Sequence, residues 1–254
     1  MGKKMKKIAV YGKGGIGKST TVSNVSCALA GMGYKVMQIG CDPKSDSTGN
    51  LQGGRRIPTI LHTIMEKGEE TSLEDIVFIG DNGVICAEAG GPTPGKGCAG
   101  KGIVTAFEEL NELDAYEVYQ PDIVIYDVLG DVVCGGFAMP LRDGYADEVY
   151  VVTSGEKMSI YAANNIIEAA RGFQETSDLK IGGLILNGKN IAKEQELVTE
   201  FSEEINVPIV ANIPRCDLIQ QAEEQNKTVT FLYPDSEQAS IYRELAKVMA
   251  KGIE

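Results

Sequence analysis

Apolar residues recur along this chain in two alternating rhythms. Continuous runs of strand length stand at Ile8–Tyr11, Val36–Gly40, Ile123–Tyr126, Val149–Val152, Ile181–Leu186 and Pro208–Val210. Between them, over Ser19–Met32, Gly102–Leu113, Lys157–Phe173, Ala192–Ile205 and Glu237–Met249, apolar residues return every three or four positions, the period of a helix with one buried face. A further helix is expected over Pro58–Lys67. This alternation predicts an α/β fold, a largely parallel sheet with helices on both faces and ligands at the carboxyl ends of the strands. No repeat, low-complexity tract or linker rich in Pro, Gly or Ser divides the chain, so residues 1–254 are expected to form one domain. The irregular stretches Asp42–Ile57 and Ala87–Lys101 then read as working loops.

Composition narrows the class. With 254 residues and 43% apolar content the chain can bury a full core. Its 36 acidic and 24 basic residues give a formal net charge of −12, which repels phosphate backbones, and no basic patch is visible; nucleic acid is not expected as a partner. The basic start Met1–Lys7 precedes an apolar run too short for a signal segment of ~7–15 residues. Lys6 stands where a myristoylation pattern needs Ser or Thr. A soluble, cytoplasmic chain with no membrane partner is expected, its six cysteines being thiols or metal ligands.

Gly12-Lys13-Gly14-Gly15-Ile16-Gly17-Lys18-Ser19 fits the P-loop pattern and has the context that supports it, an expected strand before and a helix after. Its glycines let backbone N–H groups turn toward phosphates, Lys18 neutralises their outer oxygens and Ser19 offers a hydroxyl to Mg²⁺. Lys13 lies where an ordinary P-loop needs no particular side chain. It resembles the signature lysine of the deviant Walker A (SIMIBI) ATPases, which reaches the nucleotide of a facing subunit as an arginine finger does; the plainer alternative is a solvated loop lysine. Asp42 and Asp46, in the loop Cys41–Thr48, suit orientation of water and approach to magnesium, although Asp-Pro is equally a turn starter. Asp127 closes an apolar run as a Walker B carboxylate would, with Gly130 as a joint beyond it. His62 is the one histidine, expected on helix surface or in core, which removes Ser-His-Asp and Cys-His mechanisms.

The cysteines are Cys27, Cys41, Cys86, Cys98, Cys134 and Cys216, and no two have C-x₂-C spacing. A cluster held within one chain is therefore not signalled. Cys98 and Cys134 sit in glycine-rich bends and could supply half of the four thiols that a [4Fe-4S] cluster takes, with a two-fold axis supplying the rest; otherwise they are buried free thiols. Cys27, Cys41 and Cys86 read as small core or strand-end residues, and Cys216 has no assignment.

The segments Ile8–Ser19, Gly40–Thr48, Glu88–Gly102 and Asp127–Pro140, with Tyr161-Ala-Ala-Asn-Asn165, resemble the nitrogenase iron protein family across nearly the whole chain. The resemblance implies that Cys98 and Cys134 ligate one [4Fe-4S] cluster per homodimer. It implies that Gly12, Lys13, Gly14, Gly15, Ile16, Gly17, Lys18, Ser19, Thr20 and Lys44 hold ATP, with Asn187, Pro214 and Arg215 near the adenine. Ser19 and Asp46 would bind Mg²⁺, and Lys13, Asp42, Asp127 and Asp131 would serve hydrolysis. Members dock on a larger nitrogenase-like catalytic protein and pass it low-potential electrons under ATP control, drawing them from a donor such as ferredoxin or flavodoxin.

Three departures bear on the branch. Ser45 stands where nitrogenase members usually have Ala and protochlorophyllide-reductase members His, Lys101 replaces the arginine used for regulatory ADP-ribosylation, and the chain stops soon after the helix ending near Met249. With Gly53-Gly-Arg-Arg-Ile-Pro-Thr59 these look more like the archaeal nitrogenase-like reductases, especially the ATP-dependent component of the nickel-sirohydrochlorin a,c-diamide reductive cyclase. The alternatives are a nitrogenase iron protein proper, a partition or division-site ATPase without iron, and a metal-insertion ATPase with a transferable cluster.

Overall fold

The computed structural model describes residues 5–91, 99–130, 138–142 and 144–253. Its elements run β1 (Lys6–Gly12), α1 (Lys18–Gly31), β2 (Val36–Cys41), α2 (Ile60–Lys67), α3 (Leu73–Ile76), β3 (Phe78–Ile79), β4 (Ile85–Glu88), α4 (Ala99–Glu112), α5 (Ala115–Tyr119) and β5 (Ile123–Val128). They continue with β6 (Glu148–Thr153), α6 (Lys157–Gln174), β7 (Lys180–Asn187), α7 (Glu194–Glu204), β8 (Ile209–Ile213), α8 (Asp217–Glu224), α9 (Val229–Leu232) and α10 (Glu237–Met249).

One eight-stranded sheet has the order β3-β4-β2-β5-β1-β6-β7-β8. Every pairing is parallel except that of the two-residue edge strand β3 with β4. Alternate residues of the central strands face opposite helical layers, as a period of two requires. On one side Ile8, Val10, Ile123 and Ile125 pack with Val22, Val25 and Leu29 of α1 and with Tyr242, Leu245 and Met249 of α10. On the other, Ala9, Tyr11, Val124 and Tyr126 pack with Ile103, Phe107 and Leu110 of α4 and Ile166 and Ile167 of α6. Double burial explains why these strands read as unbroken apolar runs. The Ser236 hydroxyl accepts a hydrogen bond from Ala239 N and caps α10.

The expected alternation of strands and helices is present, with two corrections. Ala87 and Glu88 belong to β4 and Ala99 to α4, so the expected loop Ala87–Lys101 is shorter at both ends. β4 is only Ile-Cys-Ala-Glu, too short to display a rhythm, and its stability as a strand comes from β2 beside it. Among the described residues no helix is long and apolar enough to cross a membrane.

The register matters for the site. Val10 of β1 lies opposite Asp127 of β5, Asp127 opposite Gly40 of β2, and Gly40 opposite Glu88 of β4. In a parallel sheet such a row projects to one face, here the face covered by α1, at the carboxyl edge of the strands.

Candidate functional site

The end of β1 is shaped by glycine. A Cβ at Gly12 would stand 2.5 Å from the Val152 carbonyl oxygen, and Gly15 (φ 75°) and Gly17 (φ 93°) occupy the left-handed region that L side chains avoid. Ile16 N closes the turn on Lys13 O at 3.1 Å, and α1 begins at Lys18 with its leading N–H groups facing the loop. A cavity of about 320 Å³ over this loop brings together Lys13, Gly14, Gly15, Gly17, Lys18, Ser19, Thr20, Asp42, Lys44 and Asp46, with Leu129 and Gly130 behind. Gly12 and Ile16 belong to the same turn but do not line this cavity. A second cavity of about 400 Å³ shares Gly15, Gly17 and Thr20 and adds Asn187, Arg215, Cys216 and Tyr242. Asn187 ties it to the loop by donating Nδ2–H to Ile16 O at 2.6 Å. Pro214, expected beside Arg215, is not among the residues that line it. A third cavity of about 420 Å³ opens at the amino ends of β1, β6 and β7, where Lys6 and Glu148 are already paired at 3.0 Å. It has no part in the phosphate site.

Beneath the first cavity lies a buried polar hub. Lys18, 7% exposed, places Nζ 2.8 Å from Asp127 Oδ1, and Ser47 donates its hydroxyl to Asp127 Oδ2 at 2.6 Å. Both oxygens of Asp127 are thus engaged, one by the P-loop and one by the 42–48 loop. Gln38 Nε2 donates to Ser47 O and Oγ, each at 3.0 Å. The other end of that loop is half-buried: Asp42 heads a turn, accepting from Lys44 N on Oδ1 (2.9 Å) and from Ser45 N on its carbonyl (2.9 Å), while Ser45 takes φ 54°. Asp42 is therefore both a turn starter and a cavity residue, and Asp46 faces the same cavity. Lys13 reaches Glu156 at 3.9 Å, with both side chains more than a third exposed.

A model of a family described as "4Fe-4S iron sulfur cluster binding proteins, NifH/frxC family" matches residues 6–253. The chain belongs to that family. It is 55% identical over 246 residues to the "Nitrogenase iron protein" of Methanospirillum hungatei, covering 96% of this chain and 87% of that one. It is 49% identical over 255 residues to "Nitrogenase iron protein 2" of Methanothermococcus thermolithotrophicus, with the same coverages. Among solved structures, the cell division ATPase MinD of Pyrococcus furiosus superposes with a TM-score of 0.74 at 22% identity, covering 98% of this chain and 99% of its own. Cobyrinic acid a,c-diamide synthase of Mycobacterium smegmatis, solved with bound ADP and magnesium, gives 0.64 at 18%, covering 96% and 93%. These two likenesses show the fold alone.

Three residues expected to serve this NifH/frxC-family chain, Cys98, Asp131 and Cys134, lie outside the described residues. Ala99, which opens α4, directly follows Cys98, and Cys134 comes four positions after Gly130. Of the other cysteines, Cys27, Cys41 and Cys86 are buried. Burial pushes the Cys86 thiol up to about 12 and that of Cys41 well above its usual range, so both are protonated core groups. Cys216, unassigned from sequence, caps α8 and lines the second cavity. His62 lies on exposed helix surface, 3.3 Å from Glu66. No set of three or more His, Cys, Asp or Glu among the described residues is placed to hold a metal ion.

Sequence reasoning missed Glu88. It is 1% exposed, and its Oε1 accepts from both the N–H and the hydroxyl of Thr48 at 2.7 Å each, while Oε2 has no partner among the described residues. Burial raises its carboxyl to about 7 against the opposing Thr48 hydrogen bonds, with the nearby Asp127 and Asp46 charges adding to the rise. A signal existed: Glu88 closes the apolar run Val84–Ala87 as Asp127 closes its own.

Proposed function

We propose that this chain is one half of a homodimeric, ATP-hydrolysing iron-sulfur reductase that passes low-potential electrons, one at a time, to a larger nitrogenase-like catalytic partner. Residues 1–254 act as one P-loop ATPase domain. The observation that carries the reading is the buried hub of Lys18, Asp127 and Ser47, which joins the P-loop, the 42–48 loop and the strand leading to Cys134. Such a hub lets phosphate occupancy move two loops together.

The residues fit the groups the family uses. The glycine turn and the start of α1 offer N–H donors to an ATP phosphate chain, and Lys18 supplies positive charge beside it. Ser19 and Asp46 would hold Mg²⁺, with Asp42 orienting the attacking water and Lys44 adding charge. Asn187 and Arg215 border the cavity suited to the adenine, and Pro214 precedes Arg215 without lining it. Lys13, exposed at the rim, would cross a two-fold axis to the facing nucleotide, while Asp127 acts through its hold on Lys18 and Ser47, and Asp131 extends the same segment. Cys98 and Cys134 of two chains supply the four thiolates of a [4Fe-4S] cluster, whose chemistry when bound is storage and release of one electron. A ferredoxin or flavodoxin would recharge it.

Ser45, Lys101 and the Gly53–Thr59 stretch favour a partner that reduces a nickel tetrapyrrole, the role of the nickel-sirohydrochlorin a,c-diamide reductive cyclase. Identity of 55% to a nitrogenase iron protein favours the second reading, a dinitrogenase reductase. Anaerobic purification tests the class: about four irons per dimer are expected, lost in Cys98→Ala or Cys134→Ala, with MgATP speeding removal of iron by a chelator. An iron-free monomer would sink the proposal and return the chain to the partition ATPases. ATP-dependent turnover with nickel-tetrapyrrole or nitrogenase components then decides between the two partners.

A further inference from the structure

The 42–48 loop is attached to a second element that the phosphate site does not need. Gly40 lies in register between Asp127 and Glu88, so the two carboxylates rise from one face on either side of a residue with no side chain. That gap admits Glu88: a Cβ on Gly40 would stand 1.9 Å from Glu88 Oε2 and 2.7 Å from Ser47 Cβ. Glu88 then holds Thr48 by two hydrogen bonds of 2.7 Å. Just beyond, Ala89 N donates to Gly40 O at 2.8 Å, and Gly91 presses on Pro43 so closely that a Cβ there would lie 2.5 Å from Pro43 Cβ. The loop is thus gripped near both ends by residues 88–91, and neither Glu88 nor Gly91 lines the phosphate cavity. Seven positions after Gly91 comes Cys98.

We propose that residues 88–91, which precede Cys98 in sequence, move with the 42–48 loop as one mechanical unit, with Glu88 as its positioning residue. This rests on the reading of that loop as nucleotide-responsive. A different contact serves the other thiol: Gly130, on the way to Cys134, packs so tightly on the P-loop that a Cβ would stand 2.3 Å from Gly12 O. Two sets of contacts then lead away from the nucleotide site among the described residues, one through Asp127 and Gly130, the other through Thr48 and Glu88. A chain of contacts becomes a coupling only when both ends move together, and that is measurable.

The experiment compares backbone hydrogen exchange of residues 42–48 and 88–102 in the iron-loaded protein with MgADP and with a non-hydrolysable MgATP analogue. Both segments are expected to respond in the wild type. In Glu88→Ala the 42–48 response persists, the 88–102 response falls by at least about fivefold, the lower range of an allosteric coupling, and MgATP-stimulated removal of iron falls with it. Nucleotide affinity changes by less than about threefold, because Glu88 lies outside the cavity. Glu88→Gln, which keeps the volume and the acceptor oxygen, restores the response. Thr48→Val removes one of the two bonds at nearly constant volume and decides the matter should the alanine variant not fold; a partial loss is expected. A full 88–102 response in Glu88→Ala or Thr48→Val, or a glutamine variant as defective as alanine, overturns the proposal. Wild-type 42–48 amides that ignore the nucleotide overturn the reading of the loop and the clamp with it.

Discussion

At the carboxyl edge of the sheet two buried carboxylates, about two strand spacings apart, are stabilised by different means. Asp127, on the P-loop side, meets the Lys18 ammonium at 2.8 Å and also accepts from Ser47. Glu88, on the β4 side, is equally buried but meets only the dipoles of Thr48, and its second oxygen is bare among the described residues. Charge pairing makes the first site depend on its partner being present; dipoles alone leave the second sensitive to whether it carries a proton. One side is built to grip an anion, the other to hold a loop.

The largest expected effect breaks the P-loop side. Lys18→Ala strands Asp127 as an unpaired buried charge, a change that costs about 3–5 kcal/mol when one member of a buried pair is lost. ATP hydrolysis falls by a factor on the order of 10²–10³ with the loss of a preorganised cation. Denaturant unfolding and phosphate release measure the two together. A variant as stable as the wild type would mean that Asp127 is held by Ser47 and not by charge, removing the contrast with Glu88.

The next effect isolates the other side through pH. The folded-state pKa of Glu88, about 7, lies above its ordinary value of 4.5, so the folded chain binds that proton more tightly than the unfolded one. The associated stabilisation is complete below the unfolded pKa and is lost as pH rises through about 7. At 1.36 kcal/mol per unit this amounts to about 3 kcal/mol. The stability of the wild type minus that of Glu88→Gln should therefore fall by about this much from pH 4.5 to above pH 7. Urea titrations across the window give it directly. A difference that stays flat would mean that Glu88 titrates as an exposed carboxylate does, and the two carboxylates would no longer differ in kind.

The contrast also marks what the sequence could disclose. The P-loop residues are consecutive, and their geometry, a glycine turn between a strand and a helix, is written in one short window. Asp127 was legible because it ends an apolar run. Glu88 ends one too, but its meaning comes from Thr48, forty positions earlier, and from a register with Gly40 that only the sheet order supplies. α8 escaped notice because it spans only eight residues, two turns in which Leu218, Ile219 and Ala222 cannot repeat a helical period. For the same reason Cys216, at its cap, had no assignment although it borders the second cavity, while Pro214 was expected there and does not line it. Local chemistry was readable; polar contacts made across the sheet were not.

The smallest effect tests whether Lys13 belongs to either side. Its ammonium stands 3.9 Å from Glu156, and the two side chains are 38% and 48% exposed. Exposed pairs of this kind contribute about 0–1 kcal/mol, since water screens the attraction and ordering two long side chains opposes it. Glu156→Gln should therefore leave the melting temperature within experimental scatter and change ATP hydrolysis by less than about fivefold, the kinetic equivalent of 1 kcal/mol. Lys13 would then be a lysine free to leave the rim, as action across a two-fold axis requires, unlike Lys18, which is fixed by burial. A fall of tenfold or more, measured by phosphate release at saturating ATP, would show that Glu156 positions Lys13 before the subunits meet. The rim would then belong with the built sites and not with the mobile ones.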